Sequence, residues 1–139
     1  MPDENGVKVD MTVNHYKIKL DETLIYTLNI LNQKEIDLRN IRVNFVVTEG
    51  LFLIGGMIKR QRGMMEIDQY IDLEIGNLVC GEKATIKIEL KPDDFLKGNE
   101  ETAWVETKGY ALITFDNSSK SKEKVKSNSV YTKIIDHNL

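Results

Sequence analysis

The sequence predicts an all-β protein: an immunoglobulin-like antiparallel β-sandwich with Greek-key connections and seven or more strands. Three observations carry that expectation. Apolar residues recur with a period of two in run after run, and turn residues punctuate those runs at short intervals. The best helix former is nearly absent, with Ala84, Ala103 and Ala111 each falling inside a strand-like run. A single domain over residues 7–135, between short flexible ends at 1–6 and 136–139, fits a length of 139 residues. A closed barrel is the alternative architecture, because alternation alone does not say whether the sheet edges meet.

The strands follow in order. Val7, Val9, Met11 and Val13 share one phase, and Leu24, Tyr26, Leu28 and Ile30 share the next. Ile41, Val43, Phe45 and Val47 alternate with Arg42, Asn44 and Val46. Ile71, Leu73 and Ile75 alternate with Asp72 and Glu74, which read as the wet side of a strand. Ala84, Ile86, Ile88 and Leu90 form another inward row. In the long run Thr102–Phe115, the row from Ala103 through Val105, Thr107, Gly109, Ala111 and Ile113 to Phe115 reads as core. Val130, Thr132 and Ile134 close the set. Turns are expected at Asp21-Glu22, Asn32–Asp37, Glu49-Gly50, Gly55-Gly56, Arg62-Gly63, Gly76-Asn77 and Cys80-Gly81. The polar stretch Asp116–Lys126 reads as a long surface loop, and Pro92–Lys97 as a single helical turn before Gly98.

Composition limits the function classes. The chain is 41% hydrophobic and 29% charged with 2 Pro and 9 Gly, which excludes disordered and collagen-like classes. No apolar run approaches the length a bilayer-spanning helix needs, so no membrane insertion is expected. Nineteen Lys+Arg against 22 Asp+Glu give −3, a balance that argues against nucleic acid as partner. The lone Cys80 forbids an internal disulfide, and two histidines cannot by themselves close a His/Cys zinc site. The opening MPDENG lacks a basic segment followed by an apolar one, so no secretory signal is read there. That leaves an intracellular protein or a piece of a longer exported one.

Four segments together resemble the bacterial and archaeal surface-protein repeat known as domain of unknown function 11. They are Leu20–Asn32 (LDETLIYTLNILN), Asn40–Ile54 (NIRVNFVVTEGLFLI), Ile75–Leu90 (IGNLVCGEKATIKIEL) and Ser127–Thr132 (SNSVYT). Their order and spacing agree with the family over nearly the whole chain. The family's Asp-x-Leu-Pro box is replaced by Phe45-Val46-Val47-Thr48, and the glycine of its first turn by Asp21, so the chain resembles a divergent member of the family. The resemblance implies an Ig-like stalk, spacer or adhesion module on a bacterial exterior and carries no catalytic or binding residues with it. Ig-like surface domains sometimes carry a Lys–Asn amide cross-link between first and last strands. Asn128 is a conceivable partner, but the inward first-strand row leaves Lys8 outside, which argues against the bond.

No catalytic constellation is legible. Cys80 with His15 or His137 is the one possible thiol–imidazole pair, and no third orienting group is recognisable. Paired carboxylates such as Asp21-Glu22, Asp93-Asp94 and Glu100-Glu101 sit in turns, where solvation accounts for them. No cofactor and no metal are expected. Two surfaces are candidates for contact. The segment Met57–Met65 gathers Lys59, Arg60 and Arg62 at a hairpin tip suited to an anionic polymer, with Met57, Met64 and Met65 filling gaps beneath it. On the outward row of the long strand, Trp104 and Tyr110 would stack sugar rings if exposed, which is the carbohydrate-binding alternative. The preferred expectation is that Trp104 packs under the Met57–Met65 hairpin. The function expected from sequence is thus a non-enzymatic spacer or adhesion module whose partner is a protein or cell-wall polymer. An intracellular or virion assembly protein is the third reading, and the oligomeric state is not legible.

Overall fold

The computed structural model describes residues 6–93, 104–116 and 121–135, with Trp104 described through its backbone. It is an all-β, immunoglobulin-like sandwich of two sheets. The strands are β1 (Val7–Val13), β2 (Lys17–Lys19), β3 (Leu24–Asn32), β4 (Leu38–Val47), β5 (Leu51–Arg60), β6 (Gly63–Glu66), β7 (Leu73–Leu78), β8 (Lys83–Pro92), β9 (Trp104–Asp116), β10 (Lys122–Lys126) and β11 (Val130–Ile135). One sheet has the order β1-β3-β8-β5-β6, the other β2-β11-β9-β4-β7, with β10 also on β9. The inward rows meet in one core that includes Tyr26, Leu28, Ile30, Val43, Phe45, Ile86, Ile88 and Phe115, all buried. Burial of these rows supplies most of the favourable free energy of folding.

The β3–β8 pair is the most regular part. Leu24, Tyr26, Leu28 and Ile30 face Leu90, Ile88, Ile86 and Ala84 without a break in register. Tyr26 reaches across to the other sheet. A Cβ at Gly109 would collide with its ring, so only glycine gives this ring its seat. Burial pushes the Tyr26 hydroxyl up to about 12, offset in part by Thr107 beside it. No hydrogen bond of normal geometry forms at that oxygen.

Several expectations are corrected. The sandwich is not wholly antiparallel: β2 runs parallel to β11, with Lys133 opposite Lys17 and Ile135 opposite Lys19. After the short crossover from β1 to β2 the chain passes from one sheet to the other, β1 pairing antiparallel with β3 and β2 parallel with β11. The expected loop Asp116–Lys126 contains strand β10, paired with β9 from Lys122↔Asp116 to Lys126↔Leu112. Val125 enters the core while Lys122, Lys124 and Lys126 stay outside, an edge strand protected by lysines.

Two of the expected turns are irregularities inside strands. Gly55-Gly56 lies within β5, beside the register shift between Leu53 and Gly55. Gly76-Asn77 lies within β7, where Gly76 has φ 89° opposite Ile41. A bulge and a turn call on the same residues for the same reason, since both need backbone that a side chain obstructs. Ile71 is 60% exposed rather than in phase with Leu73 and Ile75, because Asp72 takes a positive φ of 53° and resets the alternation. Pro92 closes β8 instead of opening a helix, and the rest of Pro92–Lys97 beyond Asp93 lies outside the described residues.

Candidate functional site

The β5–β6 hairpin brings Lys59, Arg60 and Arg62 to one end of the sandwich, with Arg60 opposite Gly63 and Lys59 opposite Met64. Strand alternation then separates them. Ile58 faces in, Lys59 out, and Arg60 in toward β7. Arg60 donates to the Ile75 carbonyl at 2.9 Å and to the Asn77 carbonyl, and it pairs with Glu82 at 3.2 Å. Glu82, only 4% exposed, also accepts the Val79 N–H at 3.0 Å. Of the three expected contact cations, Arg60 is therefore spent on stapling the hairpin to the other sheet. Lys59 and Arg62 remain at the surface. A cleft of about 350 Å³ lies beside the staple, lined by Ile58, Arg60, Arg62, Met64 and Ile75 among others.

The expected methionine packing is corrected. Met64 is 67% and Met65 56% exposed, because β6 is the outermost strand of its sheet among the described residues. They do not form a floor under the hairpin. The expected packing of Trp104 under that hairpin concerns a side chain outside the described residues; its backbone pairs with Ile135 at the start of β9.

Tyr110 lies on the outward row of β9, opposite Val46. Its ring is covered: Lys126 Nζ sits 4.4 Å from the centroid and Lys108 Nζ 5.5 Å. These cations occupy a face that a sugar ring would use, and each holds its ammonium through the ring quadrupole.

The seam between the chain's first and last strands is the site that sequence reasoning noticed only as a cross-link candidate. Four residues of the β10–β11 segment span three of β9, since Lys126 pairs with Leu112 and Val130 with Gly109. This bulge turns Asn128 toward β1, where its Oδ1 accepts the Met11 N–H and its Nδ2 donates to the Met11 carbonyl, both at 2.8 Å. Thr107 Oγ1 donates to the Thr132 carbonyl at 2.9 Å, and Thr132 Oγ1 to the His15 carbonyl at 2.6 Å. The Lys133 N–H donates to the Tyr16 carbonyl at 2.9 Å. Lys8 is exposed and Val7, Val9 and Met11 are buried, so the first strand presents no inward lysine to Asn128.

Asp72 and Glu74 are more than a wet strand face. Arg42 forks between them at 2.9 and 2.6 Å. The Arg42 pKa is raised, first by its hydrogen bond to Asp72 and then by the two negative charges. Cys80 is exposed in the β7–β8 turn and His15 in the β1–β2 crossover, next to opposite edges of one sheet. Among the described residues no group of three or more His, Cys, Asp or Glu converges on a metal position.

No protein-family model and no curated protein sequence matches the chain. Solved structures do. A variant of BcpA, the major pilin subunit of Bacillus cereus, aligns with TM-score 0.63 and 13% identity over 94% of this chain and 40% of that one. The major pilin SpaD of Corynebacterium diphtheriae aligns with TM-score 0.62 and 18% identity over 90% of this chain and 35% of that one. AvmM, which catalyses macrocyclisation in alchivemycin A biosynthesis, aligns with TM-score 0.59 and 13% identity over 96% and 89%. The likeness is one of fold. The chain spans well under half the length of either pilin.

Proposed function

We propose that this domain is a non-enzymatic structural or adhesive module of a bacterial surface or extracellular assembly, related to the domain of unknown function 11 repeat. The observation that supports this most is the parallel seam between β2 and β11. Tension applied through the two ends of the chain would slide parallel terminal strands along each other. Their hydrogen bonds then carry the load together rather than opening one by one. The Asn128 clamp on Met11 ties β1 to the same seam. A stalk or spacer unit needs this property, and the fold likeness to two major pilins favours the same setting. Its contacts would be with a protein or cell-wall polymer, through protruding groups such as Lys59 and Arg62.

The likeness to AvmM is the specific observation behind an enzymatic reading, since it covers most of that chain. Against it, Cys80 and His15 lie at opposite edges of a sheet, too far apart to act as nucleophile and base, while His137 lies outside the described residues. Antibodies against the domain test the proposal. They are expected to label intact cells of the source organism; label that appears only after lysis would overturn the surface setting.

A further inference from the structure

Charge is unevenly spread over the sandwich. Strands β2, β10 and β11 carry Lys17, Lys19, Lys122, Lys124, Lys126 and Lys133 against Glu123, a sum of +5, which β9 offsets in part through Asp116, 3.8 Å from Lys122, and Glu106 opposite Lys133. The chain as a whole is −3, so everything else together carries −8. The opposite flank holds much of that. From Gly63 to Leu78 the chain carries Glu66, Asp68, Asp72 and Glu74, all exposed, and no lysine or arginine. β7 and β2 are the two ends of one sheet's strand order, and β6 is the end of the other sheet on the β7 side. Arg42 offsets one of the four negative charges. Both flanks also expose apolar surface: Tyr16 and Tyr131 on the basic side, Ile71 and Met65 on the acidic side.

We infer that the acidic β6–β7 flank of one copy docks on the lysine flank of the next. The inference rests on the reading of the domain as a structural module and names its partner as a second copy of this chain. Two different surfaces meet, so the contact is heterologous and extends into an open array rather than closing as a dimer. A free polyanion would satisfy the lysines but leave the acidic flank and both apolar strips without a partner. A second copy answers all three. Exposed ion pairs are individually weak and screened by salt, so the array forms at high local concentration and dissolves as ionic strength rises.

Analytical ultracentrifugation at ~20 mM and ~500 mM salt tests this, because the screening length falls several-fold between them. At low salt the weight-average mass is expected to climb with concentration past that of a dimer, and at high salt to return to the 16.0 kDa monomer. The double variant Lys124→Glu, Lys126→Glu should stay monomeric, as should Glu66→Lys, Asp68→Lys, with circular dichroism unchanged for both. Mixing the two variants should restore association, at least tenfold tighter than either alone. A chain that is monomeric at all concentrations in low salt would overturn the inference, as would a dimer indifferent to charge reversal. Binding of polyphosphate or polyglutamate without self-association would assign the lysines to an external polyanion instead. Any of these failures leaves the surface-module reading standing, since cell labelling tests that separately.

Discussion

On one flank of the sandwich, the Asn128 amide between β10 and β11 bonds both backbone polar groups of Met11 in β1, and β2 is paired along β11. On the other flank, β6 has a neighbour on one side only among the described residues, and all four of its residues are exposed. What ties that flank to the second sheet is Arg60, through Glu82 and two carbonyls of β7. The contrast teaches that a basic residue's role depends on its strand phase and not on its neighbours in sequence. Arg60 sits in a cluster of cations and is consumed by the fold, whereas Lys124 alternates outward and stays available.

The largest effect should come from breaking the Arg60 staple. Arg60→Ala leaves Glu82 almost fully buried with one fewer partner, and the expected cost is about 2–4 kcal/mol, discounted from a fully buried pair because Arg60 is partly exposed. Urea denaturation checks it; an unchanged midpoint would mean that water replaces the arginine.

Tyr26 belongs to neither flank and serves as the internal control. Its folded pKa is raised above the unfolded value of 10.0 to about 12, so stability is unaffected below pH 10 and falls as pH rises through 12, by about 2–3 kcal/mol in total. Tyr26→Phe should remove that part of the alkaline loss. Because the hydroxyl lacks a hydrogen bond, the same change should cost little near neutral pH. Stability against pH for the two proteins decides this.

The smallest effects belong to the outward cations. Arg62→Ala and Lys124→Ala are each expected to shift stability by less than about half a kcal/mol, as is usual for exposed positions. A larger loss for Arg62→Ala would mean that the whole hairpin tip, and not Arg60 alone, is structural.

The parts legible in the sequence are those where alternation runs unbroken. The rows through Tyr26, Leu28 and Ile30, through Ile86 and Ile88, and through Ala111 and Ile113 lie in the core as their phase requires. Reading failed where backbone, not side chains, sets the pattern. The bulges at Gly55 and Gly76 use the residues of turns, and β10 hides because lysine is a poor strand former and Val125 is its single buried apolar residue. The staple left a usable signal: Arg60 shares its phase with Ile58, and Glu82 shares its phase with Ala84 and Ile86, so both were due to point inward. The Asn128 clamp left none, because its aim depends on a bulge between β10 and β11 that no residue there announces.

Native-state hydrogen exchange compares both flanks in one experiment. Met11 belongs to an edge strand, and its N–H points to Asn128 rather than to β3. If the terminal seam is clamped as described, the Met11 amide should exchange only with opening free energies near that of global unfolding, while the Met64 and Met65 amides of β6 exchange through local opening. Asn128→Ala should then bring Met11 down to the level of β6. Equal protection on both flanks, or a Met11 amide indifferent to Asn128→Ala, would contradict the account.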